Sequence, residues 1–210
     1  MHDPRIDELA RQLVRYSTAT QKGENVLIDL FDVPEEVGIA LVREVRAVKA
    51  TPFINIHSAK IARELARGAT EDQYAIVSKN AMHQMKTMDC YIAIRGSHNV
   101  NELSDVPSKN MQMISSKMRP VLNERINNTR WCVLRWPHPS MAQSAGMSTE
   151  AFEDFYFRVC LLDYAKLKKG MDALSKLMTE AKDVHIMGPG TDLRFSVAGI
   201  PGIACGGSHN

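Results

Sequence analysis

The chain has 210 residues, 44% of them hydrophobic and 24% charged, with 26 basic against 24 acidic side chains and a formal net charge of +2. That is the make-up of an ordinary globular protein, long enough to bury about 70% of the surface its unfolded form exposes. It excludes a low-complexity chain. With no block of like charge beyond Lys166, Lys168 and Lys169, it implies neither a nucleic-acid nor a membrane partner.

The first residues, Met1 to Arg5, run straight into an amphipathic helix without an apolar h-region, so no signal peptide is expected. No apolar stretch approaches the roughly 20 residues that a membrane-spanning helix needs. Ile6, Leu9, Leu13 and Tyr16 share one helical face. Gly23 breaks the chain, and residues 26–31 read as a buried strand. Pro34 suits a first helical turn, and Val37, Leu41, Val45 and Val48 form the stripe of the helix that follows. Residues 52–56 are the next strand, so strand, helix and strand make one right-handed crossover. Helices at about residues 59–66 and 71–86 precede a strand at residues 90–94. A helical stretch over residues 108–125 follows, which Pro120 is expected to kink or interrupt, and then a strand at residues 131–134. Ser148 is the N-cap of a helix whose buried stripe is Phe152, Phe155, Tyr156, Val159 and Leu162. A further helix carries Leu174, Leu177, Met178 and Ala181, and a strand at residues 184–187 ends at Gly188-Pro189-Gly190.

Five strands separated by helices predict an α/β fold, a mostly parallel sheet with helices on both faces. The character changes after Gly190. Residues 191–210 contain four glycines, one proline and short apolar runs at 193–198 and 203–205, with no helix signal. The reading is therefore an amino-terminal α/β domain over residues 1–190, then the first strands of a truncated, β-rich second domain over residues 191–210.

Catalytic signatures are absent: there is no HExxH helix, no GxSxG elbow and no GxxxxGK[ST] phosphate loop. Gly188-Pro189-Gly190-Thr191-Asp192 follows a strand, but Pro189 lacks an N–H for a phosphate and no helix follows, so a turn between domains is expected. His57, His98 and His138 each follow a predicted strand, near the carboxyl ends where open α/β sheets bind ligands. None has an identifiable carboxylate or thiol partner, and all three read as polar loop residues. Glu150, Glu153 and Asp154 lie in the first turns of a helix and read as compensation of its dipole. Cys205 and His209 lack a third group to orient a base, and no catalytic role is assigned to them. Cys90, Cys132 and Cys160 lie beside or inside apolar runs, far from one another and from Cys205, so all four are expected as free thiols in a reduced, cytoplasmic protein. No catalytic, cofactor-binding or metal-binding residue is assigned within the chain.

Several stretches, in order and at compatible spacing over the whole chain, resemble one family. They are Arg15-Tyr16-Ser17-Thr18 with Gly23-Glu24-Asn25-Val26-Leu27-Ile28, and Trp136-Pro137-His138-Pro139-Ser140-Met141-Ala142 leading into residues 148–155. The most specific are Gly190-Thr191-Asp192-Leu193-Arg194-Phe195 and Gly206-Gly207-Ser208-His209-Asn210. The family is the thermophilic-type metal-dependent aminopeptidases, among them aminopeptidases T, S and II. The resemblance implies a two-domain, homodimeric exopeptidase that removes amino-terminal residues from peptides. It also implies a pair of divalent ions, zinc, cobalt or magnesium, that polarise the scissile carbonyl and activate a water. The family's metal ligands lie downstream of the segment resembling residues 206–210, so none is carried over and this fragment is expected to hold no metal and to be inactive alone. His138 stands where the family more often shows a small hydroxyl residue. Two other classes fit the bare pattern: a non-catalytic α/β interaction domain, and a nucleotide-binding doubly wound domain, the latter opposed by the missing glycine fingerprint after residues 26–31.

Overall fold

The computed structural model describes residues 3–208. They divide into two compact units, the first ending at Leu161 and the second comprising Leu162–Gly207.

The first unit opens with helix α1 (Pro4–Arg11), capped by the Asp3 carboxylate, which accepts from the Arg5 N–H at 2.9 Å. It winds on into a π-helical turn, Gln12–Ser17, closed by Thr18 N–H donating to the Leu13 carbonyl at 3.0 Å. Leu13, Val14 and Ser17 are buried there, and Tyr16 is not. The sheet is built from β1 (Asn25–Phe31), β2 (Thr51–His57), β3 (Cys90–Arg95) and β4 (Arg130–Arg135). Between and after the strands come α2 (Glu35–Ala47), α3 (Ala59–Arg67), α4 (Glu71–Met85), α5 (Ser108–Asn128), α6 (Pro139–Ser144) and α7 (Thr149–Cys160). Strand order is β2-β1-β3-β4, and every pair is parallel.

Alternation along the strands separates two faces. Val26, Ile28 and Leu30 of β1 join Cys90, Ile92 and Ile94 of β3 in a core with Ile6, Leu9, Leu41, Val45 and Phe157, which belong to α1, α2 and α7. Leu27, Tyr91 and Ala93 point the other way, into a smaller core with Met85, Met88 and Val121 beside α4 and α5. Helices therefore cover both faces, as the near-continuous apolar runs of β1 and β3 predict. Burying one such leucine or isoleucine is worth about 1.5–3 kcal/mol. β2 is an edge strand, and Phe53, Ile54 and Ile56 on it are 38%, 41% and 71% exposed.

α5 runs unbroken through Pro120, against expectation. The proline removes one helical donor, but Ser116 and Pro120 are both exposed and line an open groove, so the carbonyl left without a helical partner stands on a face open to solvent.

In the second unit, α8 (Tyr164–Glu180) is capped by Asp163, whose carboxylate accepts from Lys166 N–H at 3.0 Å. β5 (Asp183–Gly188) does not join the parallel sheet as a fifth strand. It pairs antiparallel with β6 (Thr191–Ser196) across the two-residue turn Pro189–Gly190, with Gly190 at φ +73°. Proline followed by a residue of positive φ is the chemistry of a tight turn, so the loop after β5 closes a hairpin within the second unit. The following segment lies along α8: Ser175 Oγ donates to the Gly202 carbonyl at 2.6 Å, and Gly202 N–H donates to Thr179 Oγ1 at 2.9 Å.

Candidate functional site

The chain moves from β1 outward to β2, then back across β1 to β3, so the order reverses between β1 and β3. Open α/β sheets bind ligands outside the carboxyl ends of the strands at such a point. The last register positions there form one continuous row across all four strands: His57, Phe31, Arg95 and Arg135. Register partners in parallel strands project from the same face. Here that is the face carrying Tyr91, Ala93 and the α4–α5 helices. The His57 ring stacks on Phe31 at 4.3 Å and 14°, and the Arg95 guanidinium lies 5.7 Å from the centre of the Phe31 ring. These four residues line a cleft of about 420 Å³ whose remaining wall includes Asp32, Ala59, Ala62, Val100, Glu102 and Leu103.

Asp32 organises the loops behind this row. Its backbone has φ +48°, a conformation non-glycine residues adopt only at a cost. Four bonds hold it there. Asp32 N–H donates to the His57 carbonyl at 3.0 Å, and both carboxylate oxygens accept from Ala59 N–H at 3.2 Å, capping α3. The Asp32 carbonyl takes the fourth, from His138 Nε2 at 2.5 Å. A carbonyl only accepts, so Nε2 carries the proton. His138 is 6% exposed, and its ring fills the space beside Gly96: a β-carbon there would lie 2.3 Å from His138 Nε2 and 2.4 Å from the Asp32 carbonyl oxygen. The imidazole thus plugs the gap between β1 and β3.

All three histidines stand at the carboxyl ends of strands, as the sequence predicts, but only two of them come together. His98 and His138 rings lie 4.2 Å apart. His57 instead faces Asp29, with Nε2 3.6 Å from Oδ1, beyond hydrogen-bonding reach. Asp29 accepts from Tyr91 OH at 2.8 Å and Asn55 Nδ2 at 2.9 Å. Burial, and the Asp29 carboxylate next to it, push the Tyr91 phenol well above its ordinary value. The pattern-based reading missed Asp29 and both arginines, because each is a single charge at the end or middle of an apolar strand.

At the opposite, amino-terminal end of the strands, the Arg130 guanidinium donates to Glu24, to the Thr18 carbonyl at 2.8 Å and to Cys90 Sγ at 3.2 Å. Burial is the largest single influence and works against ionising Glu24, but the hydrogen bonds from Arg130, Gln21 N–H and Cys90, with the Arg130 charge, together outweigh it and hold the carboxyl below its usual range. Burial raises the Cys90, Cys132 and Cys160 thiols, and all four cysteines are free. Ser148 Oγ caps α7 by accepting from Ala151 N–H at 3.3 Å, and Asp154 pairs with Arg5 at 2.7 Å.

Among the described residues no three His, Cys, Asp or Glu side chains gather where they could hold a metal ion. A divalent centre does not fit the donors available here, and none of the described helices is long and apolar enough to cross a membrane.

Residues 2–203 match the model of a family described as thermophilic metalloprotease (M29). Among solved structures, wild-type AmpT from Thermus thermophilus superposes with a TM-score of 0.73 at 16% identity, over 92% of this chain and 53% of its own. A 2,5-dihydroxypyridine dioxygenase from Pseudomonas putida KT2440 superposes with a TM-score of 0.51 at 10% identity, over 94% of this chain and 48% of its own. Identities this low establish a shared fold, and the chain spans about half the length of each. No curated protein matches the sequence.

Proposed function

Because the chain belongs to the thermophilic metalloprotease family M29, we propose that it is the amino-terminal α/β part of a metal-dependent aminopeptidase that removes amino-terminal residues from peptides. The observation that carries this reading is the family match over residues 2–203, which takes in the sheet, the cleft and the β5–β6 hairpin. In this reading two divalent ions serve the whole enzyme by polarising the scissile carbonyl and activating water. On this reading their ligands come from outside these 210 residues; among the described residues no three donors gather where they could hold a metal ion. The chain alone is then inactive, and its share of the work is to shape the approach of substrate. A homodimer and a cytoplasmic setting belong to the same proposal.

Elemental analysis after dialysis, beside a leucine-arylamide assay, tests the division of labour. The expected result is neither stoichiometric metal nor turnover. Turnover together with about two tightly held divalent ions per chain would place the metal centre inside this sequence and overturn the reading.

A nucleotide-binding reading has the position of the cleft in its favour. The residues after β1 oppose it: Phe31-Asp32-Val33-Pro34 has no glycine, and the Asp32 carboxylate occupies the α3 amino terminus where a phosphate would sit.

A further inference from the structure

Arg95 and Arg135 are register partners on neighbouring parallel strands, so their side chains leave one face of the sheet about 5 Å apart. Like charges in that relation repel, and among the described residues neither guanidinium has a carboxylate partner. Of the acids that share the cleft, Asp32 is taken up by Ala59 N–H at 3.2 Å, while Glu102 pairs with neither arginine and accepts from Asn99 Nδ2 at 3.4 Å through Oε2 alone. A guanidinium pair in a cleft suits a planar anion held bidentately. Phe31, Ala62, Val100 and Leu103 supply an apolar stretch of the lining, beside the polar side chains of His57, Ser58, Ser97 and Asn99. A volume of about 420 Å³ fits a small molecule and no macromolecule.

From this we propose that the cleft binds a small zwitterion, a free α-amino acid or short peptide. Its carboxylate lies between Arg95 and Arg135, its ammonium turns toward Glu102, and its side chain rests against Phe31, Val100 and Leu103. Recognition of an anion follows from the two unpaired guanidiniums. Choosing an amino-acid carboxylate over other anions also rests on the peptidase reading, since such zwitterions are the products and substrates of amino-terminal cleavage.

Isothermal titration of the 210-residue chain, without added metal, with leucine, leucyl-leucine, leucinamide, inorganic phosphate and adenosine monophosphate tests the proposal. Leucine or leucyl-leucine should bind, and leucinamide, which lacks the carboxylate, should bind at least about tenfold more weakly. Arg135→Gln should weaken the zwitterion by a similar factor with an unchanged unfolding transition, because Arg135 is exposed. Arg119→Gln, an exposed arginine on α5, should leave binding as it was. The proposal fails if neither zwitterion binds, if leucinamide binds as well as leucine, if Arg135→Gln has no effect, or if phosphate or the nucleotide binds more tightly than both zwitterions. A chain that binds leucine by these criteria but forms no part of a peptidase would overturn the proposed function and leave the site standing.

Discussion

Single residues near the cleft carry more constraint than their exposure suggests. Gly96 has no room for a β-carbon, since one contact at 2.4 Å is to the backbone oxygen of Asp32, which has little freedom to move. Asp32 is held by four bonds, so Gly96→Ala must displace either that loop or His138. A destabilisation of about 3 kcal/mol or more is expected, read from urea unfolding; a loss under about 1 kcal/mol would mean that the loop gives way easily. At the other end of the strands, the Glu24 carboxyl titrates below its unfolded value of about 4.3. A depressed carboxyl stabilises the fold above the unfolded pKa and loses that contribution as pH falls through the folded value. Glu24→Gln should therefore cost stability at neutral pH, with the gap to wild type closing below about pH 4. Denaturant midpoints across pH 3–7 would show it, and a gap independent of pH would remove Glu24 from the account.

At the scale of elements, the hairpin decides how the carboxyl-terminal region behaves. The composition changes at Gly190, yet that glycine is the turn that lets β6 pair with β5, and the compact units separate between Leu161 and Leu162. A chain ended at Leu161 should keep one cooperative thermal transition, because the sheet and both its cores lie within it. A chain ended at Gly190 leaves β5 without its partner, an open edge that favours self-association. Thermal unfolding and light scattering of both chains check this. If the shorter chain loses its cooperative transition, residues after Leu161 belong to the folding unit of the sheet, and if the longer chain stays monodisperse, β5 does not depend on β6.

In the first unit the two cores sit back to back on one sheet whose β2 edge stays partly uncovered, and a polar cluster stands at each end of the strands. The ends differ. The amino-terminal end is closed by the Glu24–Arg130 pair and the Cys90 thiol, and the carboxyl-terminal end opens into the cleft. Cys90 is fully buried and Cys205 is exposed. A thiol reagent should therefore modify Cys205 first under native conditions and all four cysteines in denaturant without reductant. Fewer than four reactive thiols in denaturant would contradict the free state of the cysteines.

The sequence by itself determined the class of fold. Apolar runs such as Val26 to Leu30 and Cys90 to Ile94 can be satisfied only as strands buried on both faces, and the helical stripes between them supply the cover. Caps were legible for the same local reason: Ser148 has its helical N–H within three residues. Local pattern also placed His57, His98 and His138 at the ends of strands. What each does was decided by residues far away in the chain. His138 is a plug because Gly96 and the Asp32 carbonyl, 42 and 106 positions away, leave a space of its shape. Arg95 and Arg135 become a pair only when β3 and β4 align in register. The partner of β5 was likewise a tertiary matter, because an apolar strand fits a parallel or an antiparallel neighbour equally and the geometry of Pro189–Gly190 chose between them. Periodicity reports which face of an element is buried; which elements meet, and which charges are left facing each other, depends on strand order and register, and no local pattern encodes those.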